Sequence, residues 1–141
     1  MSMYNYAETS KFADTIRKMH GAEVNGSNLY FVLIALAKEK GLDDLVDAML
    51  KNACEDAIHG GTYGIMLGKG HENDADFWRQ VVKLYKLETS ATETLSGMVA
   101  EMREAGEPKL ADFVESTIEE ENNHAKRLQA VFEAHGIDYT N

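Results

Sequence analysis

The chain has 141 residues, 44% of them hydrophobic, with a formal net charge of −10. That apolar content excludes a disordered acidic tail, and the length suits one compact domain, residues 1–141, with one core. The acidic balance offers no basic patch from which counterions would be released, which excludes nucleic acid and anionic membrane surfaces as partners.

Four amphipathic segments follow one another, each with apolar residues at steps of three and four, the period of a helix that buries one stripe. The first runs from about "ETSK" to Gly41 and carries Phe12, Ile16, Met19, Tyr30, Leu33, Ile34 and Ala37. The second, after Gly41, carries Leu42, Leu45, Val46, Met49 and Ala53. "GGTYGIMLGKGHENDAD", residues 60–76, reads as a Gly-rich crossover, with the second helix fraying after His59. The third segment carries Phe77, Val81, Leu84, Ala91, Leu95 and Met98 and stops at "GEP". The fourth starts with Pro108 in its first turn and carries Leu110, Val114, Ile118, Ala125, Leu128 and Phe132. Short turns within each pair predict two antiparallel hairpins joined by a long crossover, an all-α four-helix bundle. A flexible crossover also lets hairpins swap between two chains, so a homodimer, domain-swapped or not, is expected, with Tyr4 and Tyr6 as candidates for a dimer face.

The two halves repeat. A shift of 65 positions carries Gly41 onto Gly106, Leu45 onto Leu110 and Ala35 onto Ala100. The same shift aligns polar residues that interrupt the oily stripes. Glu23 falls on Glu88, Asp56 on Glu121 and His59 on His124. Each half thus supplies one lone acid and one acid-x-x-His pair, whose members lie on adjacent positions of one helical face. Four carboxylates drawn into an apolar core need compensating charge. Two divalent cations would balance them and leave two neutral imidazoles as further ligands. Mixed carboxylate and imidazole donors suit iron or manganese, with zinc a competitor. A Glu from each of two helices and a Glu-x-x-His from each of the others is the ligand pattern of di-metal carboxylate bundles.

At these residues the sequence resembles the rubrerythrin branch of the ferritin-like family. The resemblance covers nearly the whole chain and is strongest in "EKGLDDLVDAMLKNACEDAIH" (Glu39 to His59) and "REAGEPKLADFVESTIEEENNHAKRL" (Arg103 to Leu128). It implies a ferritin-like bundle holding two iron ions, with Glu23, Asp56, His59, Glu88, Glu121 and His124 as ligands and Tyr30 hydrogen-bonded near the site. The implied activity is that of a non-haem di-iron oxidoreductase that reduces peroxide or dioxygen. The alternatives are a ferroxidase or iron-handling protein, and a structural or binding bundle with a redox-silent metal. Two departures bear on this choice. The first pair is Asp-x-x-His, one methylene short of the family's Glu. Where rubrerythrins carry a further Glu one turn after the third-helix ligand, this chain has Ala91-Thr92. No rubredoxin-like Cys-x-x-Cys exists, so electrons are expected from an external donor such as a rubredoxin-like protein.

The single cysteine, Cys54, permits no intrachain disulfide, and the first residues lack the pattern of a signal peptide; a cytoplasmic location is expected. The longest apolar run, Leu29 to Ala37, is too short to span a bilayer. His20, one turn before Glu23, reads as an ordinary helix residue, and His71 and His135 as solvated or structural ones.

Overall fold

The computed structural model describes residues 2–140 and contains, among them, four α-helices and no strand. The helices are α1 (Ala13–Glu39), α2 (Asp43–Met66), α3 (Asp74–Glu104) and α4 (Pro108–His135). They form two compact units, Met1–Glu72 with α1 and α2, and Asn73–Asn141 with α3 and α4. Each unit is an antiparallel hairpin, as expected.

The two turns are built alike. Gly41 and Gly106 both adopt positive φ, 68° and 78°, the left-handed conformation that ends a helix without a Cβ penalty. Across each, the amide that follows returns to the last helical turn: Leu42 N to Ala37 O at 3.1 Å, and Glu107 N to Met102 O at 2.9 Å. These residues are related by the same shift of 65. The cores obey it too, since buried Ile34, Val46 and Leu67 in hairpin 1 correspond to buried Val99, Ala111 and Phe132 in hairpin 2.

The other helix ends are also fixed by local chemistry. Asn73 caps α3, its side chain accepting from Ala75 N and Asp76 N, and Asp74 and Asp76 favour the positive end of the helix dipole. Pro108 occupies the first turn of α4, and Gly136 closes it in the left-handed conformation, with His135 in the last turn.

Two expectations are corrected here. The second helix does not fray after His59 but continues to Met66, so the connection is residues 67–73 and not 60–76. Its glycines serve packing. A Cβ on Gly60 would lie 3.4 Å from the Glu23 Cβ and the Val24 Cγ2, so the glycine sets the close approach of α2 to α1. The first helix begins at Ala13 rather than near "ETSK". Residues before it close the end of hairpin 1. Asn5 N and Ala7 N donate to the Ile65 and Met66 carbonyls, both at 2.8 Å, so Ile65 O gains a donor beside Gly68 N, and Met66 O, in the last turn of α2, is given a partner. The Tyr4 hydroxyl lies 3.0 Å from both the Gly68 and Gly70 carbonyl oxygens, so Tyr4 is spent within the hairpin; Tyr6 is exposed.

This clasp gives a test. Gly68 has φ +72°, and a Cβ there would fall 2.7 Å from the Asn5 Oδ1. Gly68→Ala should therefore cost about 1–2 kcal/mol, read as a melting point lower by several degrees, with Gly21→Ala as the control in open space.

Candidate functional site

Each hairpin gathers three potential metal ligands. In hairpin 1 they are Glu23 from α1 with Asp56 and His59 from α2; in hairpin 2 they are Glu88 from α3 with Glu121 and His124 from α4. Within each group one ligand atom per residue lies within 4.8 Å of the others. The geometry follows from antiparallel pairing. Acid and His three apart project from neighbouring positions of one helix, and the partner helix delivers the lone Glu at the same level. All six residues that the sequence singles out as ligands are thus brought into two groups of identical chemistry.

Hairpin 2 is the tighter. His124 Nδ1 lies 3.3 Å from Glu88 Oε2 and 3.5 Å from Glu121 Oε2. In hairpin 1, His59 Nδ1 is 3.8 Å from Glu23 Oε1, and the His59 side chain is 57% exposed. The acids Glu23, Asp56, Glu88 and Glu121 are half-buried in both. No lysine or arginine pairs with them in the ion pairs of the described residues. Two carboxylates and an imidazole aimed at one point, without a protein cation between them, are a donor set that fits a divalent metal. Either group could hold an ion, and three protein ligands leave coordination positions open.

Asp56 has a specific setting. The equivalent of Ala91 in hairpin 1 is Gly26, and a Cβ there would lie 3.7 Å from Asp56 Oδ2. The shorter acid therefore faces a bare stretch of α1, at the position where the repeat has Ala91 in hairpin 2. Tyr30 packs against the hairpin 1 core of Ile34, Ala37, Val46, Met49 and Ala53. Its hydroxyl accepts from Asn52 Nδ2 at 3.3 Å, one turn before Asp56, so its hydrogen bond goes to a neighbour of the ligands. On α3, Thr92 Oγ1 donates to Asn122 Oδ1 at 2.8 Å, so an interhelix hydrogen bond stands where rubrerythrins carry a further carboxylate.

His20, expected as an ordinary helix residue, instead makes two specific side-chain contacts. His20 Nδ1 is 2.8 Å from the Gly60 carbonyl, the residue after His59, and its Nε2 is 2.6 Å from Lys69 Nζ. With Lys69 Nζ–H donating to Nε2, the Nδ1–H is left to donate to Gly60, and α2 is pinned to α1 beside the ligands. His71 is exposed, and the His135 ring lies 5.3 Å from that of Trp78.

No helix among the described residues is long and apolar enough to cross a membrane. Residues 73–141, hairpin 2, match a family model described as "Domain of unknown function (DUF892)", a family known as ferritin-like. No curated protein and no solved structure matches the chain.

Proposed function

We propose that this chain is a ferritin-like di-iron carboxylate oxidoreductase of rubrerythrin type, reducing peroxide or dioxygen with electrons from a separate donor protein. The observation that carries the reading is the pair of acid, acid and histidine groups at positions related by the 65-residue repeat. Chance would rarely place two such sets in register. Each hairpin also leaves large apolar residues exposed, such as Leu33 and Leu45 in hairpin 1 and Leu84 and Met98 in hairpin 2. Each hairpin by itself thus presents two carboxylates and an imidazole, half of the ligand set of a di-metal carboxylate protein.

An iron pair bound there would supply two electrons at one point, with Lewis acidity for the oxygen substrate. The chain's part is to hold it. Glu23, Asp56, Glu88 and Glu121 would balance the positive charge, and His59 and His124 would serve as neutral ligands. The apolar stripes exclude water, and Tyr30 with Asn52 buttresses the Asp56 side.

A ferroxidase or iron-handling role is the second reading, favoured by the Thr92–Asn122 hydrogen bond at the place of the extra glutamate. Anaerobic Fe(II) loading followed by desalting separates the cases. About two irons per chain, with a near-ultraviolet band on oxidation, is the expected result. Peroxide consumption sustained by a reductant then selects the oxidoreductase, and oxidation of Fe(II) by dioxygen with retained iron selects the ferroxidase. Failure to retain iron, with zinc retained instead, would overturn both in favour of a redox-silent metal.

A further inference from the structure

His59 is followed by the weakest stretch of its helix. Gly60, Gly61 and Gly64 stand within the next five residues of α2, and glycine is the poorest helix former after proline. The repeat supplies an internal control. Ala125, Lys126 and Gln129 occupy the same places after His124, so an acid-x-x-His pair does not require glycines behind it. What the glycines admit is visible within hairpin 1. A Cβ on Gly64 would lie 3.5 Å from the His20 Cε1 and 3.7 Å from the Lys69 Cδ, and a Cβ on Gly60 would lie 3.4 Å from the Glu23 Cβ. The helix is thinned where His20 and Lys69 lie against it.

We infer that His20 is a positioning residue for the ligand group of hairpin 1. Its hydrogen bond restores the rigidity that the glycines remove, and so sets where His59 stands relative to Glu23. The ring spans the two helices. His20 lies on α1 one turn before Glu23, and its Nδ1 meets the carbonyl oxygen of Gly60, the residue directly after His59, at 2.8 Å. The far nitrogen is fixed as well. A lysine ammonium has only N–H to offer, so the Lys69 Nζ, 2.6 Å from Nε2, makes Nε2 the acceptor and leaves the proton on Nδ1, facing Gly60. Lys69 is in turn placed by the turn that ends α2. Gly68 has φ 72°, the Lys69 amide donates to the Gly64 carbonyl at 3.0 Å, and the Tyr4 hydroxyl donates to the Gly68 carbonyl. A series of contacts thus runs from Tyr4 through Lys69 and His20 to the peptide group that follows His59. Hairpin 2 is built otherwise. Tyr85 and Ala134 stand at the positions of His20 and Lys69, and Tyr85 joins the aromatic cluster with Phe132 and Tyr139. The effect of His20 is therefore confined to one of the two ligand groups.

The inference rests on the reading that Glu23, Asp56 and His59 hold a metal, and is independent of which metal that is and of any redox activity. The probe is Zn(II), titrated into the intact chain against a chelator that sets its free concentration, with the ring signals of His59 and His124 followed separately by NMR. In His20→Leu the affinity read at His59 should fall about ten- to a hundredfold, the range for groups that orient a ligand, while that read at His124 stays close to the parent's. Leucine favours a helix more than histidine does, so α1 persists in this variant. His20→Asn branches as leucine does but keeps an N–H at the place of Nδ1. It should recover most of the His59 affinity although it forgoes the Lys69 contact. In the parent, ring nitrogen shifts should place the His20 proton on Nδ1. A purely structural His20 would lower the melting point of both variants and leave the zinc affinity at His59 unchanged. That result, an equal fall at His124, no recovery in His20→Asn, or a His20 proton on Nε2 would each overturn the inference while the metal reading stands. A parent in which zinc leaves the His59 ring signals unmoved would overturn the metal reading of this group, and the inference with it.

Discussion

Glu88→Ala is expected to abolish metal retention in hairpin 2 while leaving the metal-free protein as stable as the parent or slightly more so. Glu88 reaches toward His124 across the hairpin, and without it Glu121 and His124 remain as two ligands from one helix. Loss of a direct ligand should cost more than the ten- to hundredfold typical of supporting groups, so metal affinity should fall by at least about a hundredfold. The metal-free protein responds with the opposite sign. There, Glu88 and Glu121 are two half-buried acids drawn toward one point on an apolar stripe, and removing one relieves repulsion. A purely structural role makes a different prediction. If the contact of His124 with Glu88 served as an ion pair, Glu88→Ala would lower the melting point with or without metal. Melting curves of parent and variant, with and without anaerobic Fe(II) or Mn(II), decide between them. In the parent, metal at a hundred times its dissociation constant should add about 2.7 kcal/mol per site, and the variant should lose that increment. Glu119→Ala, on an exposed position nearby, should change neither curve.

Much of this site was legible in the sequence because its signals are local and repeated. Acids on apolar stripes, an i, i+3 histidine and a constant shift of 65 need no knowledge of tertiary contacts. The turns at Gly41 and Gly106 were legible for the same reason, since a glycine after a periodic segment marks a left-handed helix end. Gly60 and Gly64 misled because the same residue type serves a second purpose. They are buried within α2, Gly60 against Glu23 and Val24 and Gly64 against the His20 ring, where tertiary contact overrides their low helix propensity. The late start of α1 was hidden because Asn5 and Ala7 give their amides to the far end of α2. The pairing of His20 with Lys69 joins residues 49 positions apart, with no periodicity to announce it.

Phe132→Ala should be the most destabilising single substitution in hairpin 2. Phe132 has 0% exposure and is the largest fully buried side chain in the described structure. It anchors an aromatic cluster: Tyr85 meets it edge-on with ring centres 5.6 Å apart, Trp78 does so at 6.3 Å, and Tyr139 stacks on it at 5.3 Å. Removing the ring costs about 3–5 kcal/mol in transfer and cavity terms, a large fraction of the 5–15 kcal/mol that holds a typical domain together. The equivalent Leu67→Ala in hairpin 1 should cost less, because Leu67 is smaller and the segment from Tyr4 to Ala7 is separately bonded to that end. A local reporter accompanies the global one. Burial first, and then its hydrogen bond to Glu133, hold the Tyr139 phenol above its ordinary pKa of 10.0. A raised folded-state pKa favours the protonated form, so this contribution is intact at neutral pH and is lost as pH climbs from about 10 through the folded value. In the parent, one tyrosine should therefore ionise late in an alkaline absorbance titration; in Phe132→Ala it should rejoin the others. A variant that melts within a few degrees of the parent, with the late phenol still late, would mean that the ends of α3 and α4 are held together by something other than this ring.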